Sequence, residues 1–287
     1  MINSSKQTIG FIGQGWVGKN YADNFEARGF NVVRYSLDAA YASNKEKIKD
    51  CEIVFIAVPT PTTPKGFDPS ILKQVIKLVG RGKIALIKST IAPGTTAALQ
   101  KDNPEIFVLH SPEFLSRQTA AHDAAEPTRN IIGLPLDNEI YRQKAAEVMA
   151  VLPKAPYENI CPALDAELVK YGGNCFFYFK NVFMNLLYDL SEKVGADWEN
   201  VRLMVAADPR IGEEHTRPVN KGGRGAGGDC LIKDFETFIR LYEKYVGDKV
   251  GLSVLNDLRD KNVSLLVESK KDLELLKGVY GEDILKK

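Results

Sequence analysis

Very little in this chain of 287 residues invites a metal. It has only three histidines (His110, His122, His215) and four widely spaced cysteines (Cys51, Cys161, Cys175, Cys230), with no Cys-x-x-Cys pair. That supply argues against a zinc site and a disulfide framework, favours a reducing, cytoplasmic setting, and leaves a histidine triad poorly provided. No metal is expected. An excess of one charge is lacking too: 38 Lys and Arg face 37 Asp and Glu. Net charge therefore gives no case for nucleic acid or an anionic membrane as a partner. No apolar run approaches the roughly 20 residues that span a bilayer. Met1–Lys6 lead into the first apolar run without a signal-peptide pattern.

Glycine, by contrast, is placed with purpose. Thr8-Ile9-Gly10-Phe11-Ile12 passes directly into Gly13-Gln14-Gly15-Trp16-Val17-Gly18, and a helix-period segment through Tyr21, Ala22, Phe25 and Ala27 follows. Strand, Gly-x-Gly-x-x-Gly and helix together predict a dinucleotide site: a tight turn, a close approach to pyrophosphate, and close packing of helix on strand. The helix N-terminus faces the phosphates. A second strand, Asn31–Tyr35, completes the β-α-β unit. Its end carries Ser36, with Arg34 before it and Asp38 after it. NAD is the expected cofactor, with Ser36 or Asp38 at the ribose; serine beside Arg34 leaves a 2′-phosphate open as the alternative.

Short apolar runs then alternate with helical patterns: Ile53–Val58, Ile84–Ile87, Ile106–Leu109 and Asn130–Gly133, with helices over Pro69–Val79 and Glu139–Leu152. This alternation predicts an α/β fold whose mainly parallel, doubly wound Rossmann-type sheet is covered on both faces. Ligands of such sheets lie beyond the C-terminal strand ends. From about Pro162 to Lys193 there is no further proline, and apolar spacing is helical, predicting a helix on the order of 45 Å long. Further helices are expected at Trp198–Ala207, Asp234–Tyr245 and from Gly251 onward. The expected division is 1–160 for the dinucleotide-binding domain and 161–287 for an all-helical domain. That second domain would serve dimerisation and carry the catalytic loop.

A second glycine run, Gly222-Gly223-Arg224-Gly225-Ala226-Gly227-Gly228, precedes Asp229-Cys230-Leu231-Ile232-Lys233-Asp234. It reads in two ways: backbone that admits a ligand beside a thiolate activated by Lys233 or a helix N-terminus, or a flexible linker before a buried cysteine.

In order, these motifs resemble the UDP-glucose/GDP-mannose dehydrogenase family. The resemblance rests on Gly13–Gly18, Val58-Pro59-Thr60-Pro61, Lys88–Thr95, Ser111-Pro112-Glu113-Phe114-Leu115, Ala166–Asn174, Asp208–Gly212 and Gly225–Asp234, over roughly residues 8 to 240. It implies oxidation of a nucleotide-sugar primary alcohol to a carboxylate by two NAD molecules in turn, through a thiohemiacetal and a thioester on Cys230. By the same resemblance Lys170 and Asn174 stabilise oxyanions. Asp234 with Thr90 orients or activates water, and Glu113 is a second acid–base group. The cofactor would be held by Gly13, Gln14, Gly15, Trp16, Val17, Gly18, Ser36, Asp38, Val58, Thr60, Thr90 and Lys233. The substrate would meet Phe114, Leu115, Lys170, Asn174, Gly225, Gly227 and Gly228, and Arg210 from the partner of a homodimer joined through the long helix.

The chain departs from the family at three places. About fifty residues follow Asp234, too few for the family's third domain. Ser116-Arg117 stand where a second acid is usual, and Ile232 stands for proline in Cys-Leu-Pro-Lys-Asp. A single-step alcohol or hydroxyacid dehydrogenase with Cys230 as a relic remains an alternative. So does a non-catalytic dinucleotide-binding protein.

Overall fold

The computed structural model describes residues 7–286. Two compact units emerge, one of Met1–Thr60 with Pro69–Lys170, the other of Pro61–Asp68 with Tyr171–Lys287.

The first unit is built on β1 (Thr8–Ile12), α1 (Trp16–Ala27), β2 (Asn31–Tyr35), a 3-10 segment over Ala42–Asp50 and β3 (Ile53–Ile56). The two-residue strands β4 (Thr62–Thr63) and β5 (Gly66–Phe67) pair as a ribbon belonging to the second unit. There follow α2 (Ser70–Val75, extended as 3-10 over Ile76–Leu78), β6 (Ile84–Ile87), α3 (Thr95–Asp102), β7 (Phe107–His110), α4 (Ala120–Ala125), β8 (Arg129–Leu134), α5 (Glu139–Val151) and β9 (Tyr157–Pro162). The seven-stranded sheet runs β2-β1-β3-β6-β7-β8-β9. All pairings are parallel except β7 with β8, which meet antiparallel at His110 and Gly133.

Every residue of β3 and β6 is buried, as continuous apolar runs require when helices cover both faces. On one face Phe11 stacks on Phe55 at 4.8 Å and Phe25 meets both edge-on. The edge strand β9 was not expected from sequence. Its Tyr157-Glu158-Asn159 start is exposed, so no apolar run announces it.

α6 (Ala163–Val194) is 32 residues long, as the proline-free, helix-spaced segment predicted. In the second unit follow α7 (Trp198–Ala206), a ribbon of β10 (Val219–Asn220) and β11 (Gly223–Arg224), α8 (Gly228–Tyr245), α9 (Lys249–Glu268) and α10 (Leu273–Tyr280). The ribbons correct the all-helical expectation slightly. Tyr178 stacks on Phe235 at 3.9 Å at the centre of this core, with Cys175, Val182, Ile239 and Leu255 around them. α8 begins six residues before the expected Asp234, because glycine read as loop-forming whereas Gly227 serves here as an N-cap.

Candidate active site

Order reverses at β1, which has β2 on one side and β3 on the other; such a switch point opens a crevice beyond the strand ends. The three glycines there differ. Gly13 has φ +91°, and a Cβ on it would lie 2.2 Å from Ala57 O. A Cβ on Gly18 would lie 2.0 Å from Gly13 O, so that glycine lets α1 pack onto the turn. Gly15 is the N-cap of α1 with nothing within 4 Å of its would-be Cβ. No side chain caps α1 and no acid lies in its first turn, so its first N–H groups present a positive end toward an anion.

Val58, Ser89, Thr60 and Thr90 join the ends of β3 and β6. Ser89 Oγ accepts from Val58 N at 3.0 Å and donates to Val58 O at 2.7 Å. Thr60 Oγ1 donates to Thr90 O at 2.7 Å. Thr90 does not cap α3. That helix starts after Gly94, and Glu167 supplies the carboxylate, accepting from Gly94 N at 2.6 Å and Thr96 N at 2.8 Å. Burial raises the Glu167 carboxyl above its ordinary pKa, while these donors oppose the shift.

After β7, Lys170 Nζ donates to Glu113 Oε1 at 2.8 Å and to Glu113 O at 2.7 Å, both side chains buried. Glu113 Oε2 also accepts from Leu115 N at 2.8 Å. The Phe114 ring receives the Arg129 guanidinium at 3.7 Å and Lys170 at 5.8 Å. Beside this pair lies a residue to which sequence reading gave no role. Lys88 is buried, donates to Ser111 Oγ at 3.1 Å and Pro112 O at 3.4 Å, and lies 4.6 Å from the centre of the Tyr21 ring. Burial pulls its pKa down to about 7. A lysine ending the buried run Ile84–Ile87 is the signal that would have found it. His110, read from sequence as structural, is fully buried with its pKa pushed down to about 3 by that burial; Nδ1 donates to Ile87 O at 3.1 Å, the tautomer inferred from that carbonyl.

In the second unit, Cys230 lies in the first turn of α8, half-buried. Asp234 follows one turn on, on the same face. It is fully buried with a donor on each oxygen: Asn174 Nδ2 on Oδ2 at 2.5 Å and Lys233 Nζ on Oδ1 at 2.5 Å. Lys233 thus pairs with Asp234. Asn174 stands four residues after Lys170 along α6. Arg210 is exposed after α7, its guanidinium on Asp208 at 2.6 and 3.0 Å.

The glycine run is clasped by Asn262 of α9 and by Lys271 and Asp272, just before α10. Asn262 exchanges two hydrogen bonds with Ala226, at 2.7 and 3.0 Å. Lys271 Nζ donates to Gly225 O at 2.9 Å, and Gly228 N to Asp272 Oδ2 at 2.7 Å. Asp272 is the N-cap residue of α10 yet makes no side-chain bond to that helix; it caps α8 instead. A Cβ at Gly227 would lie 2.1 Å from Asp272 Oδ2, whereas the space at Gly228 is open. Nothing in the sequence signalled this clasp, which joins residues far apart in the chain.

Fold and site together define a dinucleotide-binding α/β protein with a cysteine at a helix N-terminus. Residues 36–150 match the NAD-binding domain, and residues 164–263 the central domain, of the UDP-glucose/GDP-mannose dehydrogenase family. The chain belongs to that family, of which it carries these two domains. A UDP-glucose 6-dehydrogenase of Rickettsia bellii is 30% identical over 250 residues, covering 81% of this chain and 55% of its own length. The chain spans about half the length of most of the curated relatives it matches. Among solved structures, a UDP-glucose dehydrogenase from Pyrobaculum islandicum superposes with a TM-score of 0.77 at 25% identity, over 93% of this chain and 71% of that one. A 3-hydroxyisobutyrate dehydrogenase from Mycobacterium tuberculosis shares the fold, with a TM-score of 0.70 at 15% identity over 98% of this chain and 99% of that one.

Proposed function

We propose that this protein oxidises the primary alcohol of a nucleotide sugar to the carboxylate, with Cys230 as the covalent nucleophile. The observation that carries the reading is Cys230 in the first turn of α8, with the buried, doubly anchored Asp234 one turn behind it. The residues fit NAD: Gly15 is open over an uncapped α1 N-terminus, and Val58, Thr60 and Thr90 end the neighbouring strands. NAD supplies a two-electron hydride acceptor, used twice for each acid formed.

The chain's own groups do the rest. The alcohol loses a proton and a hydride to give the aldehyde, and Glu113 is the acid–base candidate for that proton. Cys230 thiolate adds to the aldehyde carbon, giving a thiohemiacetal oxyanion that Lys170 and Asn174 stabilise. Loss of the second hydride leaves a thioester. Water, oriented by Asp234 with Thr90, attacks it; the C–S bond breaks and the thiolate returns. Phe114, Leu115 and Gly228 are assigned to substrate, and Ser36 or Asp38 to the ribose; Gly225 and Gly227, expected from sequence to meet substrate, face Asn262, Leu265, Lys271 and Asp272 of the chain itself. Four cysteines that form no disulfide suit a cytoplasmic setting.

With UDP-glucose as probe, two NADH per acid are expected, and Cys230→Ser should abolish acid formation while leaving NADH binding nearly unchanged. One NADH per product, untouched by the serine, would overturn the scheme.

We further propose a homodimer through α6. Phe176, Phe183, Leu186, Leu190 and Val194 all stand exposed along that helix, more apolar surface than a solvent-facing helix ordinarily carries. Arg210 would then reach the partner's substrate. Sedimentation at micromolar concentration should give twice 31.8 kDa. A fully active monomer would remove the dimer.

A further inference from the structure

β2 ends at Tyr35, and the next residue, Ser36, stands where a dinucleotide site selective for NAD ordinarily carries an acid. The polar groups of this turn hold one another: Asp38 N donates to Ser36 Oγ at 3.2 Å, and Ala40 N to Asp38 Oδ1 at 3.0 Å. Two residues earlier, on the same face of the strand, stands Arg34. A serine with an arginine nearby is the pattern that admits a 2′-phosphate. In the folded chain that arginine is engaged. Its Nε and Nη2 donate to the two oxygens of Glu26 at 2.9 and 2.7 Å, and Nη2 lies 2.7 Å from Asp23 Oδ1. The remaining arm, Nη1, is 3.5 Å from Gln14 Oε1 in the glycine loop, which places the guanidinium beside the dinucleotide turn. Asp23 also takes Lys19 at 2.6 Å, so two cations and two carboxylates balance along one groove of about 530 Å³, shared with Tyr41 and Asn44.

We propose that Asp23 and Glu26 of α1 make this site select NAD over NADP, by holding Arg34 in a two-carboxylate cage. The proposal rests on the dinucleotide reading of the glycine loop. A bidentate Arg–carboxylate pair is directional and charge-assisted, and the Arg34 side chain is only 10% exposed. A 2′-phosphate must either break that pair, leaving Glu26 without its partner, or sit against two carboxylates whose cations, Arg34 and Lys19, are already engaged. Either route disfavours NADP without touching NAD, whose ribose brings no charge. Selectivity thus moves from the strand end, where Ser36 has replaced the acid, to the exposed side of α1.

The test is calorimetric titration of the full chain with NADH and NADPH. Wild type should bind NADH at least tenfold more tightly than NADPH. Glu26→Gln with Asp23→Asn should tighten NADPH about tenfold and leave NADH within twofold. Adding Arg34→Ala to that pair should erase the gain. Arg34→Ala alone, which leaves Glu26 and Asp23 without that counter-charge, should weaken NADPH further and leave NADH within twofold. An Asp23/Glu26 variant that binds NADH normally but gains nothing for NADPH overturns the proposal. So does a wild type that binds NADPH as tightly as NADH, or an Arg34→Ala chain that gains NADPH affinity. If wild type binds neither dinucleotide, the reading of the glycine loop itself fails.

Discussion

Two glycine-rich turns, each opening a helix, carry the two halves of the proposed chemistry, and they use glycine for different ends. At β1–α1 the middle glycine, Gly15, faces open space while Gly13 and Gly18 are pressed against backbone. At the start of α8 the chain fills its own gap: Asn262 and Leu265 crowd Gly225, and Asp272 and Lys271 crowd Gly227. Glycine in a sequence therefore announces a close approach without saying who approaches. In the first turn the space beside Gly15 stays open; in the second, most of it belongs to α9 and the residues before α10, with Gly228 left open.

The contrast can be broken by adding one methyl group at a time. Gly13→Ala is expected to be the most severe, since it combines φ +91° with a Cβ 2.2 Å from an immovable carbonyl oxygen. A loss of about 3 kcal/mol or more should appear in denaturant titration. Gly15→Ala should leave unfolding unchanged, because nothing lies within 4 Å. Its effect should fall on NADH affinity, weakened about tenfold by the methyl in the phosphate approach. Unchanged NADH binding would show that this turn is not the pyrophosphate seat.

Gly227→Ala meets only the ends of flexible side chains, Asp272 Oδ2 and Lys271 Cε, which can move aside. The expected loss is about 1 kcal/mol, close to that of Asp272→Ala, which removes the same helix cap. If the two losses add in full in the double variant, the cap and the crowding are independent and the clasp is not one device.

The last effect is read in the pH dependence of stability. Lys88 has its pKa lowered by burial to about 7, against 10.5 when exposed. Between those values the unfolded chain binds more protons than the folded one, so stability should rise as pH climbs from 7 toward 10. Lys88→Met should flatten that rise, measured by urea midpoints across the range. His110 gives the opposite edge. Its folded value of about 3 lies below 6.5, so stability should fall as pH drops below 6.5.

Much of the first unit was legible from its residues. Apolar runs of four or five between helix-period segments place the inner strands, since a strand buried on both faces has no polar side to show. β9 escaped the same reading because an edge strand needs no such run. The long α6 was legible from a proline-free stretch with helical spacing. Of the candidate site, Gly13–Gly18, Cys230 and Asp234 could be picked out because each belongs to a local motif whose chemistry is set by neighbours a few residues away.

What the sequence by itself determined is local: period, turn chemistry, and the placing of a thiol and a carboxylate one helical turn apart. Only the tertiary structure decided which partners those groups have. Arg34, open to a phosphate on paper, is caged by Asp23 and Glu26 because helix α1 packs over β2. Lys233, a candidate to activate Cys230, bonds to Asp234. Asp272 caps a helix that begins 44 residues before it. A charged side chain's role is fixed by what lies within about 4 Å of it, and for these residues those neighbours come together only when the chain has folded.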